Sequence, residues 1–500
     1  MSMTPAEVRD IRTAVVEGLP PIDHAGSHAA RDAAFTFVPP THAQALDPDR
    51  CIVEGIRGAG KSFWWGALSS SAHRQFVTHA FPDTHLKPTT IVLQGFGDAS
   101  GSIDAPSKDV LAKLFGEFNS ARPIWRAVMA RQLEFPAPFP QKTSLAKNLW
   151  QARTAWVHEN PEAFDEMLVA ADSKLQAGGK SALVLFDALD RLAETWQDIR
   201  PLARGLLQVA QDMRSTRSIR MKLFVRPDML EDKAIIGFPD ASKLLARRAS
   251  LAWRRVDLYA LFFQCVGNAK NGGDALRNAS NDALNVKWLK TDGAWLIPDA
   301  LRGDEAFQEQ FFEQLAGKAM SSSPTGLKRG KPYKWIANHL QDGRDQVSPR
   351  SFCEALRRAA DDSLSDYASH PVPFHFKAIQ AGVQAASRVR VDELVNEDYP
   401  WVDRVMSPLR GALSVPCLAK DINAIWKSRH VLESLESELS GSKTSVKLPP
   451  QHLADGLEGV LLDLEELGLI QRLSDGRIQM PDVYRIAFGL GRRGGVKPLK

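Results

Sequence analysis

Short apolar runs alternate with helical periodicities over the first half of the chain. The third of these runs carries apolar side chains at every position from Ala182 to Phe186 and then reaches Asp187. Such a run is typical of a strand buried on both faces of a parallel sheet. Because amphipathic helical segments separate the runs, the pattern predicts an α/β fold, a three-layer domain with a parallel sheet. The runs are CIVEG (51–55), TTIVLQGFGD (89–98), SALVLF (181–186) and IRMKLFVRPD (219–228).

The same pattern divides the chain into four regions. Paired prolines and polar residues make 1–40 an irregular N-terminal lead-in, and strand–helix alternation then runs over 41–268, with a helical insertion at about 106–178. A helical, lid-like region with loops is expected over 269–390, with residues 271–345 largely irregular. In 391–500, a long helix precedes two short strands around an Asp-Gly turn, which is a hairpin signal. This order predicts a C-terminal winged-helix domain with a basic tail.

Composition limits the class of protein. With 500 residues, 44% of them hydrophobic and 24% charged, the chain is expected to fold into several globular domains. A net charge of only +4 does not indicate a nucleic-acid binder, so any basic surface must be local. Four scattered cysteines, no signal-peptide pattern and no apolar run long enough for a membrane span lead us to expect a cytoplasmic protein without membrane contact.

One segment, GIRGAGKS at 55–62, fits the phosphate-binding pattern G-x-x-x-x-G-K-[ST] at every fixed position. It follows a predicted strand and opens a predicted helix, as that pattern requires. Glycines let backbone N–H groups turn toward phosphate oxygens, the helix start favours an anion, and Lys61 is expected to reach the β- and γ-phosphates. The predicted nucleotide-binding residues are Gly55, Arg57, Gly58, Ala59, Gly60, Lys61, Ser62 and Phe63.

A phosphate loop also requires a second acid. Asp187 ends the most apolar strand, where a carboxylate can hold a Mg²⁺ ion together with the hydroxyl of Ser62. The next residue is Ala188, at the place where many ATPases carry the acid that activates water. Asp190 is the nearest replacement, and its equally weighted alternative role is the N-cap of the following helix. Binding of a nucleotide is therefore better supported than its rapid hydrolysis.

Arginines supply the remaining candidates for contact with the nucleotide. Arg226 ends the strand MKLFV at the carboxyl edge of the sheet, where it can sense the γ-phosphate or simply precede the Pro227 turn. Arg350 begins a later helix and is a weaker candidate for reaching back over the nucleotide. The arginine pairs at 247–248 and 254–255 offer a finger to a neighbouring subunit, but a solvated helix face is the simpler explanation for them.

The motifs GIRGAGKS, LVLFDALDRL, KLFVRPDM, LAWRRVDLYALFF and DGRDQVSPRSF, in this order, resemble those of bacterial P-loop ATPases of the STAND/KAP kind, which are related to the AAA+ class. The resemblance covers roughly 37–360. DALDR is similar to the DDLDR of KAP proteins, with Ala188 in place of the second acid. The resemblance implies ATP and Mg²⁺ as cofactors, a sensor role for Arg226, and a nucleotide-driven switch or oligomerising scaffold, many of which act in defence against phage.

The C-terminal module carries an excess of basic residues and an acidic helix. From Ile470 onward, seven basic and two acidic residues give +5, and the preceding helix carries five acidic side chains that do not suit the major groove of DNA. We therefore expect contact with a protein more than with DNA. The basic residues are Arg472, Arg477, Arg485, Arg492, Arg493, Lys497 and Lys500, the two acids are Asp475 and Asp482, and the helix acids are Asp455, Glu458, Asp463, Glu465 and Glu466.

Three functions remain open on the sequence. The first is an ATPase switch whose nucleotide state controls a homo-oligomer or a separate effector protein, in bacterial antiphage defence. The second is an ATP-dependent initiator or loader that binds DNA through the winged helix. The third is a nucleotide-binding scaffold with little turnover, because of Ala188. The nucleotide is taken as ATP from the resemblance, and GTP is not excluded by the residues.

Overall fold

The computed structural model describes residues 3–20, 32–97, 105–142, 148–322, 329–441 and 448–492. They form two compact units. One unit runs from Val38 to Ala252, and the other combines the chain up to Phe37 with the chain from Trp253 onward. Helices and strands are numbered in chain order through both units, beginning with helix α1 (Pro5–Gly18). Asp98 of the second predicted strand and the basic tail at 493–500 lie outside the described residues.

The unit 38–252 has the predicted alternation of strands and helices. Its strands are β1 (Ile52–Glu54), β2 (Thr90–Phe96), β3 (Ser181–Phe186), β4 (Ile219–Val225) and β5 (Ala249–Ser250). Its helices are α2 (Pro40–Leu46), α3 (Lys61–Ser69), α4 (Ser71–Ala80), α5 (Lys108–Phe118), α6 (Arg122–Gln132), α7 (Leu149–Glu159), α8 (Pro161–Ala177), α9 (Trp196–Asp212), α10 (Pro227–Glu231), α11 (Lys233–Ile236) and α12 (Ala241–Leu245).

The strands of this unit form a parallel five-stranded sheet in the order β2-β3-β4-β1-β5. Side chains 182–186 of β3 are all buried, and successive side chains of a strand point to opposite faces. Both faces of the sheet are therefore covered, which confirms the three-layer α/β fold. Strand β4 lies between β1 and β3, so the carboxyl ends of these three strands meet at one edge.

The insertion at about 106–178 is helical, as predicted, and α6 joins it to the sheet. Trp125 of α6 is completely buried, with its ring edge-to-face on Phe96 of β2 and Phe186 of β3, at centroid distances of 5.9 and 6.0 Å. Its Nε1 donates to the Leu202 carbonyl of α9 at 2.8 Å. A large aromatic side chain with a satisfied polar group thus anchors the insertion over the ends of the central strands.

The second unit is mainly helical. Its strands pair as two hairpins, β6 (Leu289–Thr291) with β7 (Ala294–Leu296) and β8 (Gln471–Arg472) with β9 (Ile478–Gln479). Besides α1, its helices are α13 (Arg255–Gly267), α14 (Gly273–Leu284), α15 (Asp299–Gly303), α16 (Glu305–Ala316), α17 (Pro332–Leu340), α18 (Pro349–Ser365), α19 (Phe376–Glu393), α20 (Pro400–Met406), α21 (Ala419–Ser428), α22 (Val431–Gly441), α23 (Gly456–Glu466) and α24 (Asp482–Phe488).

The N-terminal lead-in is not irregular where the structure describes it. Helix α1 begins with a capping box between Thr4 and Glu7, and its apolar side chains at positions 8, 11 and 15 are buried against α13, α14 and α18. Arg12 is buried too, because its guanidinium donates to backbone carbonyls at 2.8–3.3 Å. The sequence prediction took the paired prolines as a sign of irregular structure and missed this amphipathic helix. The five acceptors belong to Tyr367, Ala368, His370, Val372 and Pro373.

The winged helix is present in the C-terminal part of the second unit. Helices α20, α21 and α23 precede the β8–β9 hairpin, and Cys417 pairs antiparallel with Ile478 to add a third segment to that small sheet. The Asp475-Gly476 turn closes the hairpin with Gly476 at φ 80°, a conformation that favours glycine. The predicted long helix before the hairpin is the shorter α23, because its first residue, Gly456, has φ 61° and the helix does not extend back beyond it.

The domain limits differ from the predicted ones. Helix α13, assigned to 41–268, belongs to the second unit, because the first unit ends at Ala252. The limit at 390/391 falls inside α19, whose buried residues continue to Val391. The segment 271–345 is largely helical, with α14, α16 and α17. Among the described residues, no helix is both long and apolar enough to span a membrane.

Candidate nucleotide-binding site

The phosphate loop is the turn between β1 and α3. Gly58 and Gly60 adopt φ values of 76° and 105°, which L-residues with a side chain rarely take. At Gly55, a Cβ atom would lie 3.2 Å from the Ala59 Cβ and 3.3 Å from the Leu251 Cβ. The glycines are thus required by backbone conformation at two positions and by close packing at the third. The loop ends at the N-terminus of α3, whose first N–H groups favour an anion.

Lys61 is hydrogen-bonded to the backbone of this loop. Its Nζ donates to the carbonyl oxygens of Gly55 at 2.7 Å and Ile56 at 3.0 Å. Burial lowers the pKa of Lys61 from 10.5 to about 8, although the charges of Asp190 and Asp187 act in the opposite direction. The ammonium group is therefore poorly solvated and close to acidic groups, as expected of a cation that binds phosphate oxygens.

Ser62 and Asp187 meet across the loop. Asp187 follows β3 and is only 3% exposed, and its carboxylate is hydrogen-bonded by the Ser62 hydroxyl and by the backbone N–H of Ala188. Burial raises the pKa of Asp187, while these hydrogen bonds and the charge of Lys61 oppose the rise. A hydroxyl and a carboxylate are hard oxygen donors of the kind that Mg²⁺ prefers. The two residues fit the metal role that the sequence predicted for them.

Arg226 lies between two carboxylates at the end of β4. Its Nε and Nη2 donate to Asp228 at 3.1 and 3.0 Å, and its Nη1 donates to Asp190 Oδ2 at 3.1 Å. Burial would raise the pKa of Asp190, but the charges of Arg226, Lys61 and Arg191 outweigh it and lower that pKa. Asp190 is thus ionised at neutral pH and lies on the same edge of the sheet as Lys61 and Asp187.

The alternative role of Asp190 as a helix N-cap is wrong. Asp190 lies inside a 3₁₀ turn (Leu189–Arg191), and α9 begins only at Trp196, with Thr195 as its N-cap. The turn starts from Ala188, which takes the left-handed conformation at φ 57°. That conformation separates the strand end from the helix and turns the Asp190 carboxylate toward Arg226. It is unfavourable for alanine by roughly 1–2 kcal/mol.

The other predicted loop residues differ in their surroundings. Ala59 is completely buried, Arg57 is half-buried, and Phe63 is 36% exposed with its ring edge-to-face on Trp64 at 5.0 Å. Trp64 is buried, and its Nε1 donates to His42 Nδ1 at 3.1 Å. The first turn of α3 is therefore fixed to helix α2. Of the three predicted loop residues, Phe63 is the most exposed.

The remaining candidate arginines, apart from Arg247, pair with acids. Arg350 belongs to the other unit, where its Nη1 donates to Glu393 at 2.9 Å, and its role at the nucleotide stays a prediction. Arg248 contacts Glu54 at 3.2 Å. Of the second predicted pair, Arg254 caps α13 through Asp257 at 2.7 Å and Arg255 contacts Glu305 at 3.2 Å. The first of these two contacts lies at the start of α13 and the second joins α13 to α16, so both are contacts within the second unit.

The sequence prediction missed Asp228. This residue stands two positions after Arg226, and its carboxylate is the bidentate partner that holds the guanidinium in place. Asp228 is also one of the acids whose charge raises the pKa of Lys61. The only available signal was its place, since it follows the carboxyl end of a buried strand as Asp187 does. Its neighbour Pro227 made the segment look like an ordinary turn.

A different group of ligand atoms lies in the winged helix. Among the described residues, His452, Asp463 and Glu466 bring one potential ligand atom each to within 4.8 Å of one another. The Nδ1 atom of His452 is 2.7 Å from Asp463 Oδ1, and this hydrogen bond raises the pKa of His452. The contact joins the segment before α23 to the helix itself, which explains the group without a metal.

The strand order and the loop together give the unit 38–252 the fold of a P-loop NTPase domain. No protein-family model and no curated protein sequence matches the chain. One similar solved structure is Cdc6p from Pyrobaculum aerophilum, which is 11% identical, covers 92% of this chain and 94% of its own, and has a TM-score of 0.29. Another is the Aeropyrum pernix ORC2 protein in ADPNP–ADP complexes, which is 12% identical, covers 91% of this chain and 98% of its own, and has a TM-score of 0.30. Both TM-scores are low, so the fold assignment rests on the strand order and the loop.

Proposed function

We propose that this chain is an ATP-binding switch that hydrolyses its nucleotide slowly. The observation that carries the proposal is the arrangement of Lys61 and Ser62 at the loop, one directed to carbonyl oxygens and the other to the Asp187 carboxylate. When a nucleotide binds, phosphate oxygens would replace the carbonyl partners of Lys61, and a hydrated Mg²⁺ ion would replace the hydrogen bond between Ser62 and Asp187. ATP is proposed over GTP on the family resemblance.

Each residue has a separate task in binding. The N–H groups around Gly58 and Gly60 surround the β-phosphate, and Lys61 neutralises charge on the β- and γ-phosphates. Ser62 and Asp187 are the residues that would hold Mg²⁺, which supplies charge neutralisation across the phosphate oxygens when bound. Phe63 is accessible at the start of α3 and is available for contact with the nucleotide beyond its phosphates.

Turnover is expected to be slow because one acid is missing and the other is engaged. Ala188 offers no carboxylate next to Asp187, and Asp190 accepts a hydrogen bond from Arg226. An aspartate with a lowered pKa is ionised but is a weak base, so it orients water better than it deprotonates it. Arg226 carries the positive charge closest to Asp190, and a γ-phosphate would compete with Asp190 for its Nη1 group. We assign Arg226 the sensor role on this basis.

The winged helix is expected to contact protein rather than DNA. From Ile470 onward, the basic side chains that the structure describes all pair with acids: Arg472 with Glu458 and Glu465, Arg477 with Asp475, and both Arg485 and Arg492 with Asp482. Phosphate contacts of DNA would have to displace these carboxylates. The proposed partner is therefore a second copy of the chain or a separate effector.

The test is the mass of the full chain in two nucleotide states. We expect light scattering to give a larger assembly with a non-hydrolysable ATP analogue than with ADP, and the Lys61→Ala variant to give the same mass in both. Equal masses for the wild type, combined with binding of a duplex DNA that responds to the nucleotide, would instead support an initiator or loader. Phosphate release by the wild type at the background rate, with ATP binding retained, would support the scaffold with little turnover.

The STAND/KAP assignment and a role in antiphage defence follow from the sequence resemblance. A switch of this kind acts through another component, so a gene for a nuclease, protease or similar effector beside this one is the expected context. A neighbouring replication gene would favour the initiator instead.

A further inference from the structure

A second cavity lies at the opposite edge of the sheet from the phosphate loop. It has a volume of about 400 Å³ and is lined by residues before β1, at the start of β4, at the end of α9 and around α12. Cys51 precedes β1 and Arg220 is the second residue of β4, so the cavity is at the amino ends of the strands. The nucleotide site follows their carboxyl ends, roughly 20 Å away along β4. The two sites are therefore separate.

One wall of this cavity is fixed by a buried lysine. Lys222 is completely buried in β4, and its Nζ donates to the carbonyls of Ala45, Asp47 and Arg50 at 2.7, 2.9 and 2.8 Å. These hydrogen bonds hold the segment that brings Pro48, Asp49 and Cys51 to the cavity. The direct partners of this buried ammonium group are carbonyls and not a carboxylate, so it places a positive charge behind the wall, which the nearby charges of Asp47 and Asp49 partly offset.

The rim of the cavity is also positively charged. Arg214 donates from Nη1 to the neutral Gln211 Oε1 at 3.2 Å. The side chain of Arg247 has no hydrogen bond or ion pair within the part of the chain that the structure describes, although its charge lowers the pKa of Asp49. Arg220 is bound to Asp49 at 2.6 Å. Two guanidinium groups thus face the cavity without an ion pair to a carboxylate, unlike Arg472 and Arg477 of the β8–β9 hairpin.

The floor is apolar. Side chains of Ala210, Met213, Met221 and Leu244, none more than 3% exposed, lie beneath the basic rim. Cavities of this size that combine an apolar floor with a few polar groups are typical of small-ligand sites, and a duplex backbone would not fit into such a volume. Guanidinium groups bind phosphate oxygens in a fork geometry. We propose that this cavity binds a small phosphate ester with a flat aromatic ring, as a nucleoside monophosphate has.

The test measures binding of AMP and of ribose 5-phosphate to the full chain by calorimetry. AMP is expected to bind saturably and at least about fivefold more tightly than ribose 5-phosphate, because only AMP carries a ring for the floor. The double variant Arg214→Ala/Arg247→Ala should lose at least about tenfold in AMP affinity, since two charge-assisted contacts disappear. Lys61→Ala, which acts on the phosphate loop, and Arg217→Ala, an exposed arginine outside the cavity, should keep AMP affinity within about twofold.

Several results would overturn the proposal. AMP binding that is lost in Lys61→Ala and kept in the double variant would assign AMP to the phosphate loop, which leaves the proposed switch function intact. Equal affinities for the two probes would remove the role of the apolar floor. If the double variant changed the mass of the assembly but not AMP affinity, the arginines would belong to an interface between copies of the chain.

Discussion

The phosphate loop and the wing of the winged helix both present basic side chains, but the groups that these side chains contact differ. In the loop, Lys61 donates to two carbonyl oxygens, which an anion can replace without separating a pair of charges. In the wing, Arg472 and Arg477 are bound to carboxylates at 2.7 Å. The comparison shows that an excess of basic residues identifies an anion site only where no acid neutralises it.

The largest expected effect is on nucleotide affinity. Replacing Lys61 with alanine removes a charge-assisted contact to two phosphates, and we expect ATP affinity to fall by about 100-fold, corresponding to about 3 kcal/mol. Replacing the wing residue Arg477 with alanine is the matched control and should leave ATP affinity unchanged. Equilibrium titration with a fluorescent ATP analogue measures both. A similar loss in the two variants would break the comparison.

The next effect concerns turnover. Asp190→Asn replaces a carboxylate that binds Arg226 with a neutral amide, and it should lower phosphate release at saturating ATP by about 10- to 100-fold, the range expected for loss of a group that orients water. ATP affinity should change by less than about threefold. Glu194→Gln, an exposed acid on the same connection, serves as control. Unchanged turnover in Asp190→Asn would mean that this acid has no part in hydrolysis.

The third effect is a pH dependence of binding. Burial lowers the pKa of Lys61 to about 8, so above pH 8 most molecules carry a neutral Lys61 and must take up a proton to bind phosphate. We expect ATP affinity to fall roughly tenfold between pH 7 and 9. In Lys61→Arg the group stays charged, and the profile should be flat over that range. A flat profile for the wild type would contradict the assigned cause.

The smallest expected effect is a change in the affinity of the wing for duplex DNA. If the carboxylates neutralise the wing, then Glu458→Gln together with Glu465→Gln should free Arg472 and raise affinity for duplex DNA at low salt by about three- to tenfold. Glu433→Gln on α22 is the control with the same loss of charge elsewhere. Gel-shift titration measures the difference. Tight, salt-dependent DNA binding by the wild type would remove the distinction between wing and loop.

Local patterns predicted those parts of the site that local geometry specifies. The phosphate loop, Asp187 at the end of β3 and the Asp475-Gly476 hairpin all follow from short sequence signals. The ion pair between Asp190 and Arg226 could not be predicted in the same way, because the two residues come from segments that meet only when β3 and β4 pair. The left-handed conformation of Ala188 was equally hidden, since alanine does not signal a positive φ.

The fold was predictable where periodicity is strong and less so where a tertiary contact decides. The apolar run of β3 was sufficient to predict a buried strand, whereas α1 is stabilised by the Arg12 contacts with a segment more than 350 residues away. The buried Lys222 is a similar case, because a lysine in an apolar run gives no sign of the three carbonyls that receive it.

Calorimetric titration of the wild-type chain with ATP, in the presence and then in the absence of Mg²⁺, tests the central claim most directly. We predict one nucleotide per chain, with affinity at least about tenfold weaker without Mg²⁺, because Ser62 and Asp187 then have no cation to share with the phosphates. No saturable binding at millimolar ATP, or equal binding by wild type and Lys61→Ala, would contradict the claim that this loop is a nucleotide site.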